Sequence, residues 1–183
     1  MTLLESKNVT LGSSASDFSL QGVDDKSYLL ADFDEYAVIV IVFMCNHCPY
    51  VQAVWKRLVG LQERFLDRGV RFVGINPNFH PDYPEETMEN MKKYHDSYNM
   101  NFPYLLDESQ EVAKAYGAVC TPDIFVYDES RELAYHGRID DSWKDESNVS
   151  KQDLADALER LLAGENPDAD QKPSTGCSIK WRE

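Results

Sequence analysis

Two cysteines three positions apart carry the strongest chemical signal in this sequence. Residues 45–49 read Cys-Asn-His-Cys-Pro, and they directly follow an apolar run from Ala37 to Met44. Cysteines with this spacing at the start of a helix can close a disulfide without moving the backbone. The helix N-terminus stabilises a thiolate, because its free N–H groups and its dipole attract negative charge. The pattern therefore predicts a redox-active pair, with two buried structural thiols or half of a zinc site as alternatives.

The composition excludes several classes of function. The chain has 183 residues, enough for one domain with a sizeable core, and its 32 acidic and 18 basic residues give a net charge of −14. Binding to nucleic acid or to anionic lipid requires clustered Lys and Arg, so neither partner is expected. The sequence has no apolar run long enough to span a membrane and no secretory pattern at its start. We therefore expect a cytoplasmic protein, in which four cysteines are catalytic, redox-sensing or inert thiols.

The elements around the cysteine pair follow from the hydrophobic pattern. Residues 36–43 form a continuous Val/Ile-rich run, which predicts a central strand buried on both faces. Apolar residues recur at helical spacing over residues 49–68, and Gly69 ends this helix. Residues 70–75 predict a second buried strand, parallel to the first because a helix crosses between them.

The rest of the chain predicts a single domain over residues 1–164 and a tail without periodicity over residues 165–183. Glu85 and Glu86 fall in the first turn of one predicted helix, where they would offset its dipole. The remaining predicted elements are an N-terminal hairpin of residues 17–20 and 27–30, helices over residues 84–98, 109–116 and from Ser150 to Gly164, a strand over residues 102–106, and antiparallel strands over residues 124–127 and 133–136.

This order of elements resembles the thioredoxin fold, an α/β fold with a mixed central sheet flanked by helices. The 74 positions from Cys48 to Pro122 leave room for an extra helix and strand. With the N-terminal hairpin, this insertion is similar to the redoxin branch, which contains the AhpC/TSA peroxiredoxins and the TlpA-like thiol-disulfide oxidoreductases. Cys-Asn-His-Cys-Pro-Tyr-Val and the terminal Gly-Cys-Ser-Ile-Lys-Trp resemble a peroxiredoxin-like group of that branch.

The resemblance implies roles for individual residues. Cys45 matches the attacking cysteine, which we expect to be exposed and first on the helix, and Cys48 matches the resolving cysteine. Pro122 matches a proline that is cis in the family and faces the disulfide, and Thr121 would offer backbone hydrogen bonds to an extended substrate. Without the cysteine pair, Thr-Pro would be read as a turn that enters a strand.

The sequence also departs from the family pattern. Thioredoxins carry a buried carboxylate in the strand before the motif, whereas residues 37–43 contain no ionisable group. His47 and Asp123 are the alternative proton-transfer residues. By resemblance, His47 also indicates a couple more oxidising than thioredoxin; the alternative is a partly exposed polar residue of no consequence. By resemblance, the motif of peroxiredoxins is Thr-x-x-Cys, in which the last residue is the peroxidatic cysteine. In this chain Cys45 stands at the position of that threonine.

Two further thiols and one arginine are candidates for the same site. Cys120 is either a buried core thiol or part of the active-site face. Cys177 is either a resolving thiol, as in peroxiredoxins that keep one near the C-terminus, or an exposed thiol in a frayed tail. Arg138 would stabilise a thiolate or a peroxide oxygen, or would form a surface ion pair with Asp140 or Asp141.

These residues predict a thiol-disulfide oxidoreductase that acts on thiols and disulfides of proteins or small molecules and serves cell redox homeostasis. No cofactor beyond the redox-active disulfide and no bound metal are expected. One alternative is an antioxidant thiol-dependent peroxidase, in which a sulfenic acid is resolved by a second thiol. Another is a copper or zinc chaperone with Cys45, His47 and Cys48 as ligands.

Overall fold

The computed structural model describes residues 3–182 and contains ten β-strands and four α-helices in that range. The strands are β1 (Leu3–Glu5), β2 (Ser19–Gly22), β3 (Ser27–Leu29), β4 (Val38–Phe43), β5 (Val70–Asn76), β6 (Tyr104–Leu106), β7 (Cys120–Thr121), β8 (Asp123–Tyr127), β9 (Leu133–Gly137) and β10 (Thr175–Ser178), and the helices are α1 (Pro49–Phe65), α2 (Met88–Ser97), α3 (Glu111–Tyr116) and α4 (Asp153–Leu162). None of these helices is long and apolar enough to cross a membrane.

Seven strands form a mixed sheet in the order β3-β2-β6-β5-β4-β8-β9. Strands β4, β5 and β6 are parallel, whereas β8 and β9 run antiparallel to their neighbours. The predicted N-terminal hairpin is confirmed, and its strand β2 also pairs with β6. The architecture is therefore the α/β fold with a mixed sheet that the resemblance implied.

Strand β4 lies at the centre because both of its faces are apolar. Val40 and Val42 belong to the core cluster under α1 and α4, and Ile39 and Ile41 belong to the cluster on the opposite face. All four are 0% exposed, which confirms the prediction of a strand buried on both faces. The strand consequently delivers the residues that follow it to a fixed point above the sheet.

Helix α1 starts at Pro49, where the missing proline N–H costs nothing. Its apolar stripe packs Val51 and Leu58 into the core, and the helix changes to a 3₁₀ turn before Gly69. The φ of Gly69 is +85°, a left-handed value that favours glycine over other residues. The predicted helix is thus confirmed, with its last turn tightened.

The C-terminal tail contains strand β10, which its polar sequence did not predict. Strand β10 lies between β1 and β7 in a separate three-stranded sheet. Ile179 just beyond it is 3% exposed in the core, and its N–H donates to the Val119 carbonyl at 2.9 Å. The tail is therefore docked against the domain along the edge that carries Thr121 and Pro122.

Candidate active site

The cysteine pair lies in the turn between β4 and α1. Cys48 is the N-cap of α1, and Cys45 precedes the first helical residue, Pro49, by four positions. Both side chains are 0% exposed. The expectation that Cys45 is exposed and first on the helix is therefore wrong, because the proline that starts the helix follows the second cysteine rather than the first.

The Thr121–Pro122 loop packs directly on both thiols. Its peptide bond is cis, as the resemblance implied. Cys45 Sγ lies 3.2 Å from Thr121 Oγ1, and Cys48 Sγ lies 3.2 Å from the Thr121 carbonyl oxygen. The fold thus brings together four of the residues that the sequence placed in the site.

The two thiols differ in their affinity for a proton. Hydrogen bonds lower the pKa of Cys48 to about 5 against the effect of burial; the largest contribution comes from Cys45, and Cys177 and the Val51 N–H add to it. Burial raises the pKa of Cys45 well above its usual value of 9.0, and the Cys48 thiol and the Glu86 carboxylate add to this rise. The helix N-terminus also favours negative charge on its cap residue. These effects favour the thiolate on Cys48.

Glu86 is a buried carboxylate beneath the cysteine turn, and sequence reasoning missed this role. It is 0% exposed and its hydrogen bonds go to the cysteine turn, so the expectation that it simply offsets a helix dipole is wrong. Its oxygens accept hydrogen bonds from the Asn46 N–H at 3.0 Å, the His47 N–H at 2.9 Å and Asn76 Nδ2 at 2.7 Å. His47 Nδ1 lies 2.5 Å from Glu86 Oε1. The carboxylate that β4 lacks is thus supplied by a distant segment.

The hydrogen bonds to Glu86 hold the cysteine turn in position. Burial raises the pKa of Glu86, but the hydrogen bonds from His47, Asn46 and Asn76 outweigh it, and the net pKa is lowered. The turn is held further by Tyr104, whose hydroxyl donates to Asn46 Oδ1 at 2.9 Å. The sequence contains one indirect signal for the contact between Glu86 and the cysteine turn. The turn has several N–H groups without a helical partner, and no acidic residue is near it along the chain.

His47 is largely covered rather than exposed. Its ring stacks on Tyr83 with centroids 5.2 Å apart, and Lys180 Nζ lies 5.6 Å from the Tyr83 ring centre. Ligand atoms of Cys45, His47 and Glu86 lie within 4.8 Å of one another, a spacing suited to a metal ion. A metal here would compete with the hydrogen bonds that Glu86 already accepts.

The other two thiols lie in the second sheet. Cys177 in β10 is 2% exposed and opposite Thr121, so it is not an exposed thiol of a frayed tail. Burial and the hydrogen bond with Cys48 raise the pKa of Cys177 to about 12. Cys120 lies opposite Ser178, and burial together with the Asp123 charge raises its pKa.

Two candidate polar residues have partners away from the thiols. Asp123 Oδ1 lies 2.8 Å from His136 Nε2, and this pair joins β8 to β9. Arg138 Nε donates to Asp153 Oδ2 at 2.8 Å, so the expected ion pair with Asp140 or Asp141 is wrong.

A cleft of about 310 Å³ adjoins the Thr121–Pro122 loop. Pro122, Arg138 and Trp143 line it together with tail residues 172–175. The cleft therefore connects one predicted catalytic residue with the one arginine that the sequence singled out.

Gly176 sets how closely the tail approaches the site. A Cβ at this position would overlap the Thr121 carbonyl and lie 3.1 Å from Pro122 N. We expect Gly176→Ala to lower the free energy of unfolding by about 1–3 kcal/mol, as overpacking does, and to speed alkylation of the cysteine pair. Urea unfolding and timed alkylation measure both effects.

Gly60→Ala is the matched control for this substitution. Gly60 lies within α1, and a Cβ there meets nothing within 4 Å. We expect this variant to gain about 0.5–1 kcal/mol of stability, since alanine favours helix over glycine. Equal behaviour of the two variants would contradict close packing of the tail at Gly176.

The chain is similar to a known family and to proteins of known structure. The model of the AhpC/TSA family matches residues 11–136. A crystal structure of an uncharacterized conserved protein from Geobacillus kaustophilus is 44% identical, covers 100% of this chain and 97% of its own, and has a TM-score of 0.94.

Some proteins with a more distant similarity to this chain are named for an activity. The thioredoxin domain of a thiol-disulfide oxidoreductase from Bacteroides vulgatus has a TM-score of 0.66 at 18% identity, with 85% of this chain and 99% of that chain covered, and so shares the fold. Thiol-disulfide oxidoreductase ResA from Halalkalibacterium halodurans is 25% identical over 122 residues, which are 67% of this chain and 65% of that protein. The match thus spans just under two thirds of that relative's length.

Proposed function

The chain belongs to the AhpC/TSA family, and from that premise we propose that it is a thiol-disulfide oxidoreductase in which Cys45 and Cys48 alternate between dithiol and disulfide. The observation that carries the proposal is the contact between the two buried thiols, one of which has its pKa lowered to about 5. A thiolate at neutral pH is the form that attacks a disulfide. The name of the ResA relative supports the same class of reaction.

The order of attack follows from the pKa difference. The Cys48 thiolate attacks one sulfur of a substrate disulfide, so a mixed disulfide forms and the other substrate sulfur leaves as a thiolate. Cys45 then attacks Cys48 Sγ, which releases the second substrate thiolate and closes the Cys45–Cys48 disulfide. The proton of Cys45 passes to a leaving thiolate. The roles are the reverse of those that the sequence resemblance implied.

The cleft beside Pro122 supports disulfides of small molecules or of short protein segments as substrates. Its lining contains charged residues of both signs, Arg138 and Lys172 against Asp140 and Asp141. We propose that substrates approach the thiols from this side. In a reducing cytoplasm the pair would rest as a dithiol and would contribute to redox homeostasis.

Turnover assays test the proposal directly. Reduction of insulin, or of oxidised glutathione, with dithiothreitol as electron donor should be lost in Cys48→Ser and slowed in Cys45→Ser. The Cys120→Ser variant is the matched control and should retain turnover. An unmodified protein that reduces neither substrate would overturn the proposal.

A thiol-dependent peroxidase is the second candidate, and the lowered pKa of Cys48 favours it. Cys48 holds the second position of the motif, which matches the peroxidatic cysteine by resemblance. Its thiolate would attack one peroxide oxygen, release water and become a sulfenic acid, and a second thiol would displace a further water to form a disulfide. Hydrogen-peroxide consumption, measured beside insulin reduction in the same preparation, separates the two activities.

The pKa of Cys48 also predicts the redox potential. The attacking thiol of thioredoxin has a pKa near 7, so Cys48 is more acidic by about 2 units. A stabilised thiolate stabilises the reduced dithiol, and we expect a potential about 60 mV above the roughly −270 mV of thioredoxin. Equilibration with glutathione buffers measures it. A value at or below that of thioredoxin would contradict the assignment of the thiolate.

A further inference from the structure

Strand β10 brings a third thiol to the cysteine pair. In its antiparallel register with β7, Cys177 lies opposite Thr121, and residues directly opposite one another point to the same face of a sheet. Thr121 contacts Cys45 through its hydroxyl and Cys48 through its carbonyl, each at 3.2 Å. The Cys48 and Cys177 side chains are themselves hydrogen bonded. Cys48 thus contacts two thiols, Cys45 and Cys177.

The position of Cys177 is fixed from both directions along the chain. On the N-terminal side, the Ser174 N–H donates to Ser6 Oγ at 2.9 Å. On the C-terminal side, the Lys180 N–H donates to Asn78 Oδ1 at 2.9 Å, and Ile179 is buried in the core. These contacts hold the thiol beside Cys48 as part of the folded domain.

We propose that Cys177 is a third redox thiol, which exchanges with the Cys45–Cys48 disulfide to form a Cys48–Cys177 disulfide. This inference rests on the proposed function and extends it. In the exchange, the Cys177 thiolate attacks Cys48 Sγ, the Cys45–Cys48 bond breaks and Cys45 leaves with the bonding electron pair. The proton that Cys177 gives up goes to Cys45. The step changes no net oxidation state, so it needs no external oxidant.

The arrangement of the three sulfurs supports this exchange. Cys48 is the shared member of both pairs, and its neighbours each contact it in the same folded state. A disulfide requires sulfurs at about 2.05 Å, so two sulfurs already in hydrogen-bond contact need only a small approach. The same geometry lets either Cys45 or Cys177 resolve a substrate bound to Cys48. The Cys48–Cys177 form additionally ties β10 covalently to the start of α1.

Tryptic mapping separates the two disulfides cleanly. Cys45 and Cys48 share the peptide of residues 27–56, Cys177 lies in the peptide of residues 161–180, and Cys120 lies in that of residues 115–131. A Cys45–Cys48 bond is therefore internal to one peptide, whereas a Cys48–Cys177 bond joins two. The experiment treats the full-length protein with one equivalent of oxidised glutathione, quenches with acid, alkylates and digests.

The Cys45→Ser variant gives the decisive result. We expect the joined peptides 27–56 and 161–180 to be its main oxidised product and to be lost completely in Cys45→Ser/Cys177→Ser, which should keep glutathione on Cys48. In the unmodified protein the joined peptides should appear beside the internal disulfide and vanish in Cys177→Ser, whereas Cys120→Ser should match the unmodified protein.

Two outcomes would overturn the inference. The first leaves the proposed function intact, and the second contradicts the proposed function as well. If Cys45→Ser keeps glutathione on Cys48 while Cys177 stays free to alkylate, Cys177 is not a redox thiol, although the proposed function stands. If the unmodified protein forms no internal disulfide and reduces no substrate, the proposed function fails as well.

Discussion

Cys45→Ser is expected to keep a thiol in peptide 27–56 whose alkylation is half-maximal near pH 5, and Cys48→Ser is expected to lose it. The serine at position 45 retains a hydroxyl that can donate to the Cys48 thiolate, so the pKa of Cys48 stays low. In Cys48→Ser the remaining thiol is Cys45, whose pKa stays above its usual value of 9.0 because burial, the largest cause of the rise, is unchanged. At pH 6 the thiolate fractions of the two variants should differ by about three orders of magnitude.

Iodoacetamide labelling followed over pH 4 to 10, with mass spectrometry of peptide 27–56, measures this difference. The midpoint reports the folded-state pKa even when labelling needs a rare opening, because the closed thiolate makes opening harder as pH rises above that pKa. Cys120→Ser serves as the control and should reproduce the profile of the unmodified protein. A midpoint near pH 5 in Cys48→Ser would contradict the prediction and would assign the nucleophilic thiol to Cys45.

Glu86→Gln is expected to lower the free energy of unfolding by at least about 1.5–3 kcal/mol, the value of one hydrogen bond to a charged group. Glutamine has the same shape but only one acceptor oxygen, and its amide group would face the N–H donors of Asn46, His47 and Asn76. At least one buried donor then loses its acceptor. Removal of the Glu86 charge should also lower the pKa of Cys45, because that charge raises it.

The pH dependence of stability gives this variant a distinct signature. The folded-state pKa of Glu86 is below its usual value of 4.5, so its charged form stabilises the fold above about that pH. This contribution is lost as pH falls through the folded-state pKa, and Glu86→Gln should lack it at every pH. Urea unfolding between pH 3 and 7 tests the difference. Glu85→Gln, at an exposed neighbour, is the control, and an equal loss in both variants would contradict the role of Glu86.

The sequence predicted those parts of the fold that depend on local pattern. The apolar run that forms β4 and the helical spacing that forms α1 are both visible in short, continuous stretches of the sequence. The cis bond before Pro122 could be inferred only by resemblance, because the thiols that contact the preceding Thr121 lie over 70 residues away. The expected helix start at Cys45 is wrong because a proline at the first helical position, Pro49, makes Cys48 the cap residue.

The sequence could not predict contacts made between distant segments. Glu86 reaches the cysteine turn from 40 residues away, and its acidic neighbours along the chain resemble an ordinary charged helix start. Strand β10 is four residues of polar and small side chains, so its pairing with β7 has no periodic signature. Cys177 and Ile179 are the buried apolar residues of this segment, and two such residues form no periodic pattern.

The division of the strands into two sheets has a consequence for hydrogen exchange. Strands β1, β10 and β7 share no ladder with the seven-stranded sheet among the described residues, and the Leu3–Cys177 pair closes a loop of nearly the whole chain. Long closures of this kind cost entropy that few local contacts offset. The amides of β1 and β10 should therefore exchange through a sub-global opening, while β4 and β5 exchange only on complete unfolding. The free energy of that smaller opening sets how often a solvent molecule, or a substrate, meets the buried thiols.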